Sequence, residues 1–204
     1  MTTLPFFKVV GSTPWTELEV LLRQVPLLDQ PDTRPYANAT ISIERFKLSE
    51  LASTTRYLLE GLIADQVAIR TSLLAQGHDQ LDLRDGGLII DSGDGPKRII
   101  PPVVETFEPD GDAKYVLDGA HRVELARQVS KQQGSDDPEL TVIYVRNGIA
   151  YPPYATPNGW EEVQIGPERP ADKSLWKNYR DFPNRYQLYR DYSQIVDSSP
   201  RGMN

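Results

Sequence analysis

The chain has no cysteine, and that absence closes off several chemistries at once. Disulfide bonds, thiolate metal sites and a cysteine nucleophile are all excluded. It also has no run of about 18 apolar residues for a membrane-spanning helix, and its N-terminus lacks a basic segment followed by an apolar one. A cytoplasmic protein with no membrane partner is therefore expected, where the sequon Asn38-Ala39-Thr40 carries no meaning for glycosylation. Positive charge is in deficit: 22 Lys and Arg stand against 29 Asp and Glu, for a net charge of -7. A broad nucleic-acid surface draws its affinity from many Lys and Arg contacts to phosphate, so this balance argues against one. It leaves room for a local pocket that holds a single nucleotide, because nearby charges and dipoles outweigh distant, salt-screened ones.

What is present is ordinary for a folded domain. The 204 residues, 39% of them hydrophobic and 17 of them proline, fit one α/β domain with long loops and appendages. Its most informative stretch runs from Lys114 to Arg127. Tyr115, Val116 and Leu117 have the character of a strand, Asp118-Gly119 is a turn, and Ala120, Val123, Ala126 and Val129 recur at three-residue steps as in a helix. In such a strand-turn-helix the first free amides of the helix point back over the strand end, with the positive end of the helix dipole behind them. That place attracts anions, phosphate above all. His121 and Arg122 add donors there, and an Arg can grip two phosphate oxygens. The plainer alternative is a β-to-α turn whose Arg122 is solvated and whose His121 caps a carbonyl.

The segment Asp118-Gly119-Ala120-His121-Arg122 resembles the phosphate-binding turn of the ParB/sulfiredoxin superfamily, and the resemblance extends over roughly residues 40 to 147. Sulfiredoxins carry a catalytic Cys where this chain has Ala120, so their chemistry is excluded. ParB partition proteins carry Gly-Glu-Arg-Arg at the corresponding turn, and Ala120 and His121 depart from it, which counts against a CTP switch. The Asp-Gly-x-His-Arg form is closest to the branch that includes free-serine kinases. That resemblance implies ATP or ADP and Mg²⁺ as cofactors, with Gly119, Ala120, His121 and Arg122 holding the phosphates. Asp118 would orient the site or hold the metal, His121 would take part in catalysis, and Glu50, with Arg56 nearby, would be the general base. Local helix chemistry explains Glu50 equally well, since Ser49 is a good N-cap and Glu50 a favourable first-turn charge. Glu44 is its nearest rival.

The flanking elements follow from periodicity. Residues 1–39 read as an N-terminal helical arm, with Thr13-Pro14 opening a helix that carries Leu18, Leu21 and Leu22, followed by a proline-rich connector. Residues 40–147 read as the core. It opens with a half-buried strand at Thr40 to Phe46, and a helical face runs from Leu48 to about Gln76 as one long or two shorter helices. Hairpins follow at Leu88–Ile100 and Val103–Asp118, and a last strand at Leu140–Val145. His78 is expected on an exposed loop, and the Ser92–Gly95 glycines as a simple turn. In residues 148–204 the aromatics of Tyr151–Tyr154 and Trp160 are expected to cover a sheet edge, the alternative being that they wall a substrate pocket. Trp176, Tyr179, Phe182, Tyr186, Tyr189 and Tyr192 would lie on two short helices.

The resulting expectation is a mixed α/β (α+β) fold, a small mixed sheet with helices in a ParB/sulfiredoxin-like core, extended by helices at both ends. Its function would be a nucleotide-dependent phosphotransferase acting on a small hydroxylated metabolite such as an amino-acid alcohol. The alternative is a regulatory module that senses a nucleotide without turning it over.

Overall fold

Leu140, Val142 and Tyr144 alternate with Thr141, Ile143 and Val145, and the strand they form is buried on both faces. The computed structural model describes residues 6–135, 137–182 and 185–196. In chain order the elements are β1 (Lys8–Pro14), α1 (Trp15–Arg23), β2 (Thr40–Lys47), β3 (Leu51–Ser53), β4 (Tyr57–Leu59) and α2 (Glu60–Leu74). They continue with β5 (Gly86–Asp91), β6 (Pro96–Ile99), β7 (Val103–Thr106), β8 (Lys114–Asp118), α3 (Ala120–Gln133), β9 (Glu139–Arg146), β10 (Gln164–Gly166) and α4 (Ser193–Val196). The fold is mixed α/β, as the sequence implies.

Its centre is a five-stranded mixed sheet in the order β2-β9-β7-β8-β3. Strand β9 is antiparallel to β2 and parallel to β7, while β8 is antiparallel to β7 and parallel to β3. The period of two along β9 sends its side chains into two separate cores. Ile143 and Val145 meet Leu18 and Leu22 of α1 and Ile195 of α4 on one face. Leu140, Val142 and Tyr144 meet Val123 and Ala126 of α3 on the other. Helices on both faces explain why β9 reads as a nearly continuous apolar run. A second sheet, β1-β5-β6, is antiparallel, and β10 pairs with β4 in parallel.

Both expected hairpins, β5/β6 and β7/β8, are present, as are the β2 and β9 strands. His78 is exposed. Three local expectations need correction. The first is the opening of the N-terminal helix: Thr13 and Pro14 belong to β1, which pairs with β5, and the helix starts at Trp15. Thr13 is buried there and accepts a hydrogen bond from Arg98 Nε at 2.8 Å.

The second correction concerns residues 48–59, where no long helix forms. Leu48–Glu50 is a single 3-10 turn, closed by the Glu50 carboxylate accepting from the Lys47 amide at 2.9 Å. Strands β3 and β4 follow. The Ser53 hydroxyl bonds to the backbone of Thr55, Oγ donating to its carbonyl at 2.8 Å and accepting from its amide at 3.1 Å, and the Thr55 hydroxyl donates to the Tyr57 carbonyl at 2.9 Å. Hydroxyls that satisfy nearby backbone in this way compete with helix.

The third concerns the C-terminal part, which is not a pair of aromatic-striped helices. Among the described residues it holds a 3-10 turn at Lys173–Leu175, another at Arg185–Leu188, the short α4 and extended chain. Long-range contacts fix it instead. Arg180 pairs with Asp110 of the β7–β8 connection, and Arg190 with Glu105 of β7. Pro183 and the side chain of Tyr186 lie outside the described residues.

Candidate functional site

The strand-turn-helix at residue 119 is built as its sequence implies. Strand β8 ends at Asp118, Gly119 adopts φ 86° and ψ 17°, and α3 begins at Ala120. A side chain at 119 would be excluded twice over, because positive φ is unfavourable and a Cβ would come 2.8 Å from Pro102 Cβ. The Arg122 and Val123 amides both donate to the Gly119 carbonyl, at 2.9 and 3.0 Å. The Ala120 and His121 amides precede Arg122, the first amide that donates to the Gly119 carbonyl, so they lie at the N-terminal end of the helix.

Arg122 braces this turn from beneath. Its side chain is buried, Nη2 donates to Asp118 Oδ2 at 2.9 Å, and Nη1 donates to the Ile100 carbonyl. Burial draws its pKa below the ordinary arginine value, with Asp118 offsetting part of that cost. The sequence suggested a guanidinium gripping phosphate with both prongs; in the fold two of its donors serve the scaffold. His121 is partly exposed, and its Nε2 accepts from the Leu59 amide at 3.3 Å. That bond assigns the ring proton of the neutral imidazole to Nδ1.

The turn opens onto a cavity of about 700 Å³ that Asp118, Gly119, Ala120, His121 and Arg122 all line. This volume is in the range of small-molecule sites. Its position follows from topology: β3 and β8 run parallel, with Ser53 opposite Val116, so Thr54 and Thr55 leave β3 beside the end of β8. Ligands of open α/β sheets settle outside the carboxyl ends of such strands. Thr54 Oγ1 lies 2.6 Å from the Val116 carbonyl and 3.0 Å from the Tyr154 hydroxyl. The single Thr54 proton goes to the carbonyl, so Tyr154 donates to Thr54 and accepts from Lys177 Nζ at 3.0 Å.

The opposite wall comes from the C-terminal segment. Tyr154 and Tyr189 stack with ring centroids 4.1 Å apart, and Lys177 Nζ sits 4.2 and 4.8 Å from the two centroids. Trp176 carries Arg169 and Lys173 at 4.9 and 5.8 Å from its ring, favourable cation–π distances. Its carbonyl accepts from the Arg56 amide at 2.7 Å, which ties this wall to the β3–β4 connection. The cavity is thereby cationic inside an acidic protein. Arg98, Arg122, Arg169, Lys173, Lys177 and Arg190 line it, against three carboxylates, Asp29, Asp118 and Asp191.

Of the residues singled out from the sequence, the fold brings Asp118, Gly119, Ala120, His121 and Arg122 together at this cavity and Glu50 elsewhere. Glu50 flanks the Leu51↔Lys114 pair at the start of β8, and its carboxylate lies 3.4 Å from Lys114 Nζ. Four residue steps separate Lys114 from Asp118, about 13 Å at strand rise. Glu50 lines a different hollow, with Lys114, Arg127 and Trp160. Arg56 donates weakly to Asn158 Oδ1 at 3.5 Å, and Glu44 on β2 faces Ser42 of the same strand and Arg146 of β9. Asp118 is the carboxylate at the turn, and Mg²⁺ bound through phosphate oxygens needs only one or two such protein ligands. Among the described residues no group of three or more His, Asp or Glu converges as a metal cage. Tyr154, expected to cover a sheet edge, lines the cavity instead, which is the alternative its loop position offers. Thr54, Thr55 and the 169–177 wall have no signal in local periodicity; the parallel pairing of β3 with β8 points to the two threonines.

These features define a class: an α+β domain in which a Gly-turned helix end at a strand terminus faces a cationic cavity. The family model of the ParB CE domain matches residues 17–164, and the chain belongs to that family. This membership supports the likeness to the ParB/sulfiredoxin superfamily drawn from Asp118 to Arg122. No curated protein and no solved structure matches the chain. Among the described residues no helix is long and apolar enough to cross a membrane.

Proposed function

We propose that this ParB-type domain binds a nucleotide, with a phosphate seated against the Gly119 turn. The observation that carries this reading is the junction of helix-end amides and cavity. Ala120 and His121 open α3 just past the end of β8, at a space of about 700 Å³ whose facing wall supplies cations. Apolar side chains of Leu58, Leu62, Ile69 and Leu117 line the same space and suit the base and sugar faces. Trp176 is part of the wall, so its fluorescence reports occupancy. Titration with ATP, ADP, GTP and CTP is expected to change that emission saturably for at least one nucleotide, and no change with any of them contradicts the reading.

A second reading, phosphate transfer to a small hydroxylated acceptor, is favoured by Asp118, a cavity-lining residue next to the Gly119 turn. In that reading Asp118 receives the acceptor proton or holds Mg²⁺, while the helix end and nearby cations offset charge on the moving phosphoryl group. Glu50, at the other end of β8, plays no part in that step. Labelled nucleotide incubated with amino acids and sugars is expected to give a labelled product that is lost in Asp118→Asn. Binding without any product leaves the sensing reading alone.

A further inference from the structure

The cavity's cations do not all belong to the part of the chain that the family model covers. Arg169, Lys173 and Lys177, with Trp176 between them, follow residue 164. The charges also sort by whether a carboxylate already answers them. Arg122 is paired with Asp118, and Arg190 with Glu105 at 2.7 Å. Among the described residues, Arg98, Arg169, Lys173 and Lys177 form no ion pair. Their contacts are to hydroxyls, a carbonyl and aromatic rings, which orient a cation without neutralising it.

A single phosphate is answered by the turn alone, through the two helix-end amides and the dipole behind them. Four further cations around one cavity, in a protein whose net charge is -7, leave a positive field that one phosphate at the turn does not match. Resting on the nucleotide reading above, we infer that residues 169–177 are a specificity element that selects a polyphosphate. The ligand carries two or more linked phosphates, the first at Gly119 and the outer ones against Lys173 and Lys177. Lys177 is held for this by Tyr154, whose hydroxyl accepts from it and is itself fixed by Thr54. Lys173 is exposed and, among the described residues, its ammonium is held by the Trp176 face alone, so it can swing onto a terminal phosphate.

The test is calorimetric titration of the full chain with AMP, ADP, ATP and inorganic tripolyphosphate. It is run on the wild type, on Lys173→Ala combined with Arg169→Ala, and on Lys173→Arg. Both replaced residues are exposed, so the double variant is expected to melt at the wild-type temperature. The inference predicts that ADP binds about tenfold or more tightly than AMP, the return of one charge-assisted contact. The double variant lowers that ratio severalfold, with Lys177 retaining the remainder, and Lys173→Arg keeps the preference. Equal affinity for AMP, ADP and ATP in the wild type overturns the inference and leaves the nucleotide reading standing. Tripolyphosphate binding without any nucleotide binding supports the polyphosphate element and overturns the nucleotide reading. Failure of all four to bind overturns both.

Discussion

Arg190 Nη2 lies 2.7 Å from Glu105 Oε1, and neither side chain is more than 1% exposed. The Tyr36 hydroxyl donates to Glu105 at 2.8 Å and stands 2.6 Å from the Tyr192 hydroxyl, so the pair sits in a satisfied polar network. Arg190 further donates to the Tyr151, Pro152 and Leu188 carbonyls. Burial works against the Arg190 charge, but the Glu105 carboxylate outweighs it and holds the pKa above the ordinary arginine value. This pair fastens the C-terminal wall of the cavity to β7.

Removing one partner leaves the other as an uncompensated buried charge. Glu105→Gln or Arg190→Met is expected to lower unfolding free energy by about 3 to 5 kcal/mol, read by urea denaturation. A loss no larger than that of an exposed pair would show that the network does not hold the wall.

Gly119→Ala tests the turn itself. Positive φ alone costs a non-glycine residue about 1 to 2 kcal/mol, and the approach of Pro102 adds to it. A destabilisation above about 1 kcal/mol is expected, together with weakened phosphate binding as the Ala120 and His121 amides move. Full stability would mean that the backbone does not turn there as described.

That turn was legible because every signal for it is local: strand formers up to Leu117, a glycine, then apolar residues at helical spacing. The wall facing it was not. Thr54 meets Tyr154 across 100 residues and Thr55 meets Trp176 across 121, and no window of sequence contains both partners. The same limit explains the helix expected at Leu48. Propensity favoured it, but parallel pairing of Leu51–Ser53 with β8 won, as tertiary contacts commonly do over propensity. Arg122 was found in sequence but its work was not, since its acceptor on Ile100 lies 22 residues away.

Acid should loosen the same wall through Asp110. Burial raises the Asp110 carboxyl, but hydrogen bonds from Arg180 and Tyr115 and the Arg180 charge outweigh it, holding the pKa below the ordinary value. A carboxylate depressed on folding contributes stability above its unfolded pKa of about 3.9, and that contribution is lost as pH falls through the lower folded value. Melting temperatures of the wild type and Asp110→Asn are therefore expected to differ at neutral pH and to converge below about pH 4. A constant difference would show that Asp110 does not titrate against Arg180.

The central claim is that a phosphate of the ligand rests on the helix end at Gly119, and amide NMR reads that place directly. Titrating ¹⁵N-labelled protein with ADP is expected to shift the Gly119, Ala120 and His121 amides saturably, with changes also at Lys173 and Lys177. Saturable shifts confined to the hollow around Glu50 and Lys114, with those three amides unmoved, would contradict the account.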